Sequence, residues 1–558
     1  MTNILRNKTI GQVLEDNVSL RAEHEALIYP KMGQSEHEVR YTWRQLNDEV
    51  DRLARGMMAL GVKKGDRVAI WATNRPQWLN VMYAASKIGA ISITVNTHYR
   101  QSEIQYLLSQ SEANYLFLMD GFRGYSYLEA LYSIAPELKD GPREAQRAKE
   151  LPHLQAVVYL GEEEKPGLFT YPEILGLAGK TPKADFRALT ESLKADEVIN
   201  MQYTSGTTGF PKGVMLTHQN IVTNGYWIGR HQGLTHEDRV CLPVPLFHCF
   251  GLVLGAMAAL NHGAAMVVLD IYSPFDIMSN VEKERCTAIY GVPTMFITLL
   301  EQKSFDKFDL SSLRTGIMAG SPCPIKTMVE VIERMHASEI TICYGLTETS
   351  PVVAQTTGAD SLQKRTETVG RPMPGVELKV VDPETGRDLP QGEIGEVVVR
   401  GYVNMRGYYN MPQATEEIVD EEGWLHSGDL GKFDADGYLI ITGRWKDMII
   451  RAGENIYPQE VEEYLRHMPQ VIDVQVVSVP SKLHGEELGA FLIASEEGRN
   501  IGPKEVKAYL RPRISGYKIP RYVKVLTSFP MTASGKVQKF KLREMASDLW
   551  GTADKDDN

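Results

Sequence analysis

Cysteine is scarce in this sequence: five among 558 residues, at Cys241, Cys249, Cys286, Cys323 and Cys343, with no C-x-x-C pair. That scatter excludes a disulfide framework and a clustered-thiol zinc site, and predicts buried, reduced thiols. Positive charge is also in deficit. Sixty Lys and Arg against 71 Asp and Glu leave a net charge of -11, which argues against a nonspecific nucleic-acid binder. The amino end, MTNILRNKTIGQVLEDNVSL, has no unbroken apolar core and carries Glu15 and Asp16, unlike a signal or transit peptide, so a cytoplasmic protein is expected. Long apolar runs are missing too. The best one, GLVLGAMAALNHGAAMVVLD, is split by Asn261, His262 and Gly263 and reads as a buried helix followed by a buried strand.

What is present is an ordinary globular composition, 43% hydrophobic, enough for a large core and at least two domains. Thr42 and Gln45 form a capping-box pattern, after which Leu46, Val50, Leu53, Met57 and Leu60 recur at helical spacing until Gly61. The strand RVAIWA, a helix opened near Pro76, the strand ISITVN, a helix around Ile104 and Leu108, and the strand YLFLM follow. Such alternation favours parallel sheets covered by helices. Residues 139–194 read as charged, proline-containing connections, either surface loops or a boundary between sheet lobes. After Gly370, GVELKVVD and GEVVVRG predict a smaller β-rich subdomain. Near Lys446 a further α/β unit begins, with Val461, Tyr464, Leu465 and Met468 on one face of a helix opened by Pro458, then VIDVQVVSVP, a helix around Val506 and Leu510, and RYVKVL. The terminal TADKDDN is expected to fray.

The most informative stretch is TSGTTGFPKG, residues 204–213. A Walker loop needs Gly-x-x-x-x-Gly-Lys before Ser or Thr, with a helix starting at the lysine. Here Pro211 precedes Lys212 and Gly213 follows it, and the proline turns Phe210 away from helical angles. The segment is therefore expected to be a mobile loop between VINMQY and VML, its glycine amides and the hydroxyls of Thr204, Ser205, Thr207 and Thr208 wrapping anionic oxygens. A Gly/Ser/Thr linker has the same composition, but a linker would separate domains rather than two apolar strands.

With YGLTE at 344–348, SGDL at 427–430, GRWKDMIIRAGENIYP at 443–458 and SGKVQK at 534–539, the loop resembles the adenylate-forming superfamily of acyl-CoA synthetases, peptide-synthetase adenylation domains and luciferases. The resemblance runs over nearly the whole chain. It implies an α/β fold: a large N-terminal adenylation domain of αβ-layered sheets with a small β-rich subdomain (1–445), a small mobile C-terminal α/β domain (446–545) and a tail (546–558). It also implies the chemistry. A carboxylate attacks the α-phosphate of ATP to give acyl-AMP and pyrophosphate, and a thiol then displaces AMP. Both partners of the first step are anions, and like charges about 4 Å apart repel by roughly 4 kcal/mol at an effective dielectric near 20, so positive charge and fixed orientation are needed.

By resemblance, Lys536 bridges the attacking carboxylate and the α-phosphate, against the bland reading of a solvated loop lysine. Glu348 with Thr204 is the implied Mg2+ site, and Thr347 offers a further oxygen. Ser205, Gly206, Thr207, Thr208, Gly209 and Lys212 are the implied phosphate loop. Tyr344, beside Gly345, is placed against adenine, and Gly320, Ser321 and Pro322 at its edge. Asp429 is placed on the ribose hydroxyls with Arg444 beside it; a plain ion pair between these two is the competing arrangement. Lys446 matches the hinge, and Gly453, with Glu454 next to it, matches the thiol channel. His248 in PVPLFHCFG is either a gate beside the substrate carboxylate or a satisfied core histidine. Trp227, His248 and Phe250 are acyl-pocket candidates, with aromatic core packing as the competing reading for Trp227 and Phe250.

DMIIRAGENIYP and SGKVQKFKLRE look closest to medium-chain or fatty acyl-CoA synthetases. The expected function is therefore conversion of a medium-chain, branched, cyclic or aromatic acid, ATP and CoA to acyl-CoA, AMP and pyrophosphate, or the reverse. Loading of an acyl group onto a carrier protein is the second reading, weakened because no carrier domain follows Lys536; an inactive acyl- or nucleotide-binding regulator is the third. The expected partners are the acid, ATP with Mg2+, and CoA, without nucleic acid or a transmembrane segment, and a homodimer is compatible with the chain.

Overall fold

The computed structural model describes residues 4–31, 38–144, 148–204, 211–321, 323–451, 454–481, 484–532 and 535–551. Two large sheets dominate them. The first orders its strands Arg371–Pro372, Val352–Gln355, Glu339–Gly345, Thr315–Met318, Ala288–Gly291, Arg239–Leu242, Ala265–Val268, Glu25–Tyr29 and Val39–Thr42, with the six from Glu339–Gly345 to Glu25–Tyr29 running parallel. The second runs Lys212–Thr217, Val198–Thr204, Ile91–Thr94, Arg67–Trp71, Tyr115–Leu118, Ala156–Tyr159 and Phe169–Thr170, parallel apart from the Lys212–Thr217 edge. One apolar core joins Ile70 of the second sheet to Leu242 of the first through the helix Pro76–Ile88, in which twelve residues are buried.

Local signals explain several of these elements. The helix Trp43–Leu60 starts on the Thr42–Gln45 capping box and stops where Gly61 takes φ 110, an angle that favours glycine. Its Leu46, Val50, Leu53 and Met57 are fully buried, each worth roughly 1.5–3 kcal/mol of transfer free energy. The apolar stretch at 250–268 is interior, but it begins as a π-helix, Phe250–Met257, before the α-helix Ala258–His262 and the strand Ala265–Val268. Among the described residues no helix is long and apolar enough to cross a membrane.

Residues 139–194 depart from the loop-or-boundary expectation. They contribute two strands to the second sheet and the helices Tyr171–Gly176 and Lys183–Glu191. The strands are only four and two residues long, too short to show a period. The β-rich part after Gly370 is a four-stranded antiparallel sheet of Val376–Val381, Gly395–Gly401, Leu425–Phe433 and Leu439–Arg444.

From Ile449 onward a separate sheet forms from Ile449–Arg451, Glu454–Ile456, Val471–Ser481, Gly485–Ala494 and Tyr522–Leu526, over its own apolar clusters. Three expectations change there and nearby. Tyr464 is 38% exposed rather than on the buried face of Pro458–Arg466, and Cys323 is partly exposed, whereas the other four cysteines are buried. The tail expected from 546 is helical as far as Trp550: Ala546 is buried in Lys539–Trp550, and Trp550 stacks on Phe491 and Tyr522.

Candidate active site

Parallel strands that end together leave their connecting loops together, and a crevice outside their carboxyl ends is the usual ligand position in open α/β sheets. Four strands of the first sheet do this. Arg239–Leu242 leads to His248, Ala288–Gly291 to Val292, Thr315–Met318 to Gly320, and Glu339–Gly345 to Glu348. The second sheet adds Thr204 at the end of Val198–Thr204, in register with Lys212 across an antiparallel hairpin.

Glu348 is the centre of one group. Its Oε1 accepts from Tyr408 Oη at 2.8 Å and from Thr204 Oγ1 at 3.5 Å. Lys212 stands with its ammonium 4.9 Å from the centroid of the Tyr408 ring, so the loop lysine is coupled to the glutamate through an aromatic face. Among the described residues no three His, Cys, Asp or Glu side chains converge on a metal position. Mg2+ commonly uses one or two carboxylates and completes its shell with water and substrate phosphate, and Glu348, with both hydroxyl contacts on Oε1, fits that donor set.

Asp429 is the centre of the second group. The register of Leu425–Phe433 on Leu439–Arg444 sets Asp429 opposite Arg444. Arg444 Nε donates to Oδ1 at 2.9 Å and Tyr344 Oη donates to Oδ2 at 2.7 Å, with Asp429 only 4% exposed. The Asp429 charge raises the Arg444 pKa above its ordinary value, and burial holds the Tyr344 phenol well above its own, so both remain donors. The ion pair considered from the sequence is thus formed, and Tyr344 serves it through its hydroxyl.

Lys536 enters from the C-terminal unit. Val244, Pro245, His248, Phe250 and Val292 surround it in a cavity of about 10 Å³, about the space of one water. No hydrogen bond or ion pair to its Nζ is formed by any described residue. Desolvation in the cleft lowers its pKa, Arg444 adds to that, and Cys249, Asp429 and Glu348 oppose it. His248 Nδ1 accepts from the Phe250 backbone N–H at 3.2 Å; desolvation, reinforced by Lys536, pulls its pKa down to about 3 and keeps the ring neutral. Cys249 lies 3.7 Å from Thr347 Oγ1, and burial pushes its thiol up to about 11, which leaves it protonated.

The remaining candidates spread out. Gly320, with φ 92, and Ser321 are exposed at the cleft, as is Gly345. Phe250 lines the Lys536 cavity and stacks on Tyr290 at 6.4 Å between centroids. Trp227 is not among the residues lining that cavity: its indole donates to the Ile4 carbonyl at 2.9 Å, where the N-terminal segment crosses its helix. Lys446 is exposed in the short turn Trp445–Asp447, and Asp447 is ion-paired with Arg543. Glu454 is exposed on a hairpin opposite Arg451. Ser205, Gly206, Thr207, Thr208, Gly209, Pro322 and Gly453 lie outside the described residues. Tyr408, Val292 and Thr294 were not legible as site residues; RGYYN and GVPT carry no charge pattern that singles them out.

A two-sheet unit with a crevice at its strand ends, and a second unit that delivers a lysine into it, defines an AMP-forming ligase. The chain belongs to the AMP-binding enzyme family, matching it over residues 14–409 and the AMP-binding enzyme C-terminal domain over residues 460–536. It is 47% identical over 546 residues to YngI of Bacillus subtilis, named as an acyl-CoA synthetase, covering 98% of each chain. It is 38% identical over 547 residues to the mitochondrial medium-chain acyl-CoA ligase ACSF2 of Bos taurus, covering 97% of this chain and 88% of that one. Among solved structures, the anthranilate CoA ligase AuaEII in complex with anthranoyl-AMP superposes with a TM-score of 0.84 at 27% identity, over 97% of this chain and 98% of the other.

Proposed function

We propose that this protein is an acyl-CoA synthetase for an apolar, medium-chain, branched or cyclic acid, with Lys536 assisting adenylate formation. The observation that carries this reading is the lysine itself: a cation from the C-terminal unit, without a partner at Nζ among the described residues, held among apolar walls beside neutral His248. In the first step a carboxylate oxygen bonds to the α-phosphorus of ATP as the bond to the pyrophosphate oxygen breaks. Lys536 offsets charge gathering on the acyl and α-phosphate oxygens. Asp429, relieved of one of its present donors, takes the ribose hydroxyls while Arg444 stays beside the sugar. Glu348 and Thr204 would hold Mg2+, which would supply charge neutralisation of the polyphosphate when bound. In the second step the CoA thiolate bonds to the acyl carbon and AMP leaves.

One cleft serves both steps if Lys536 withdraws before the thiol arrives, which suits a division into residues 1–445 and 446–545 with rotation at Lys446 that brings Gly453 and Glu454 to the thiol route. What supports an acid whose body is hydrocarbon is the 38% identity to a medium-chain acyl-CoA ligase, together with the apolar walls beside Lys536. The test is a panel of acids of graded length and ring content, scored by AMP release with CoA and with a phosphopantetheinylated carrier protein. CoA-dependent release peaking at medium-chain or cyclic acids is expected. Release only with the carrier, or with no acid, would overturn the reading.

A further inference from the structure

The turn that delivers Lys536 lands on one short stretch of the large unit, residues 291–294. Lys536 closes a small hairpin: its N–H donates to Thr532 Oγ1 at 3.0 Å, its carbonyl accepts from the Thr532 N–H at 2.7 Å, and Met531 bridges Val537. Gly535, immediately before the lysine, has φ 80, which a side chain would strain. Facing it, Val292 is held between two glycines. A Cβ on Gly535 would lie 3.0 Å from Val292 Cγ2, and one on Gly320 would lie 3.1 Å from Val292 Cγ1 and 3.4 Å from Lys536 Cε. The isopropyl group is therefore gripped by backbone from both units, closer than a side chain on either glycine would allow. Two residues on, Thr294 Oγ1 donates to the Gly535 carbonyl at 3.4 Å. Thr294 belongs to the first turn of the helix Pro293–Leu300, which follows the strand Ala288–Gly291, paired on both sides within the first sheet.

We propose that Val292 and Thr294 are positioning residues that seat the Lys536 hairpin for adenylate formation. The ammonium is not fixed by any described residue, and a lysine side chain is long and flexible, so its reach is set by where its backbone lands. Val292 fixes the approach by shape and Thr294 fixes the height of the hairpin by its hydroxyl. In this arrangement of the two units the seat touches the hairpin, and a turn of the C-terminal unit away from residues 291–294 would release it without chemical change. The inference rests on the role given to Lys536 under the proposed function.

The full-length Thr294→Val, Thr294→Ser and Val292→Ala proteins test it through two independent readouts. The first is acid-dependent exchange of pyrophosphate into ATP, set against CoA-dependent breakdown of supplied acyl-AMP. Thr294→Val is expected to slow exchange about threefold to tenfold, the scale of one lost hydrogen bond, with thiolysis within about twofold of the parent and Thr294→Ser restoring exchange. The second readout needs no activity: acetylation of Lys536 by a water-soluble succinimidyl ester, followed by peptide mass spectrometry, is expected to accelerate in Thr294→Val and Val292→Ala, with Lys212 as the reference site. Equal losses in both half-reactions, or unchanged Lys536 labelling, would overturn the seat. A parent protein without acid-dependent exchange but with faster Lys536 labelling in the variants would overturn the proposed function and leave the seat standing.

Discussion

Tyr408 donates its phenolic proton to Glu348 Oε1 at 2.8 Å across 60 residues of sequence. The same oxygen receives Thr204 Oγ1 at 3.5 Å, so a tyrosine outside every recognised motif aims the carboxylate that two motifs were expected to share. Tyr408→Phe keeps the ring under Lys212 and removes only the donor. Adenylation should fall about threefold to tenfold, and half-maximal Mg2+ should shift, because a carboxylate freed from one donor is less well aimed. A Mg2+ titration of pyrophosphate exchange reads both effects.

Lys536→Ala separates the two half-reactions. Loss of one preorganised charge typically costs about 100-fold to 1000-fold in rate, so acyl-AMP formation should drop by that order while thiolysis of supplied acyl-AMP changes far less. Rapid-quench measurement of each half-reaction checks it.

Asp429→Asn leaves Arg444 facing a neutral amide. A hydrogen bond to a charged group contributes about 1.5–3 kcal/mol, so the KM for ATP should rise roughly tenfold or more, with a smaller change in the KM for the acid. Initial-rate kinetics over both substrates distinguish a nucleotide contact from general loosening.

The Lys536 pKa is lowered by desolvation, so the free enzyme loses the cation at a lower pH than an ordinary lysine would. The kcat/KM for ATP should therefore fall on the alkaline side earlier than kcat, since bound phosphate restores the proton. Lys536→Arg should move that limb upward, because a guanidinium keeps its charge. A pH profile of pyrophosphate exchange is the measurement.

Acid should destabilise the fold through His218 and His248, both pulled down to about 3 by desolvation, with Lys64 adding to the first and Lys536 to the second. Between about pH 6.5 and 3 the unfolded chain binds these protons and the folded one does not, so stability falls as pH drops through that window. His218 is fully buried and accepts from the Ile10 N–H through Nδ1 at 3.2 Å. His218→Gln can keep that acceptor, and should flatten the fall of Tm between pH 7 and pH 5.

Much of the fold was legible in the chain. The capping box at Thr42, Pro76 and Pro458 at helix starts, and the alternation of short apolar strands with helices all act through backbone geometry within a few residues. The segment 139–194 escaped because two- and four-residue strands have no period and gain their place by pairing, Ala156–Tyr159 with Tyr115–Leu118 and Phe169–Thr170 with Ala156–Tyr159. The π-helix Phe250–Met257 escaped because an apolar run that is buried on all sides does not report its hydrogen-bond spacing. Tyr464 was misplaced by counting it on an apolar stripe; its polar hydroxyl tolerates the surface.

In the candidate site, the sequence by itself determined which charges exist: the carboxylates at Glu348 and Asp429 and the lysine after Gly535, since residue type settles such features locally. Tertiary structure alone decided which of them meet. Asp429 faces Arg444 because of a strand register, Tyr408 reaches Glu348 across 60 residues, Trp227 turns to Ile4 rather than the cavity, and Gly535, next to Lys536, lands on Val292 and Thr294 from a separate unit. Those meetings depend on how sheets stack and units dock, through contacts between residues too far apart in the chain for any local pattern to record.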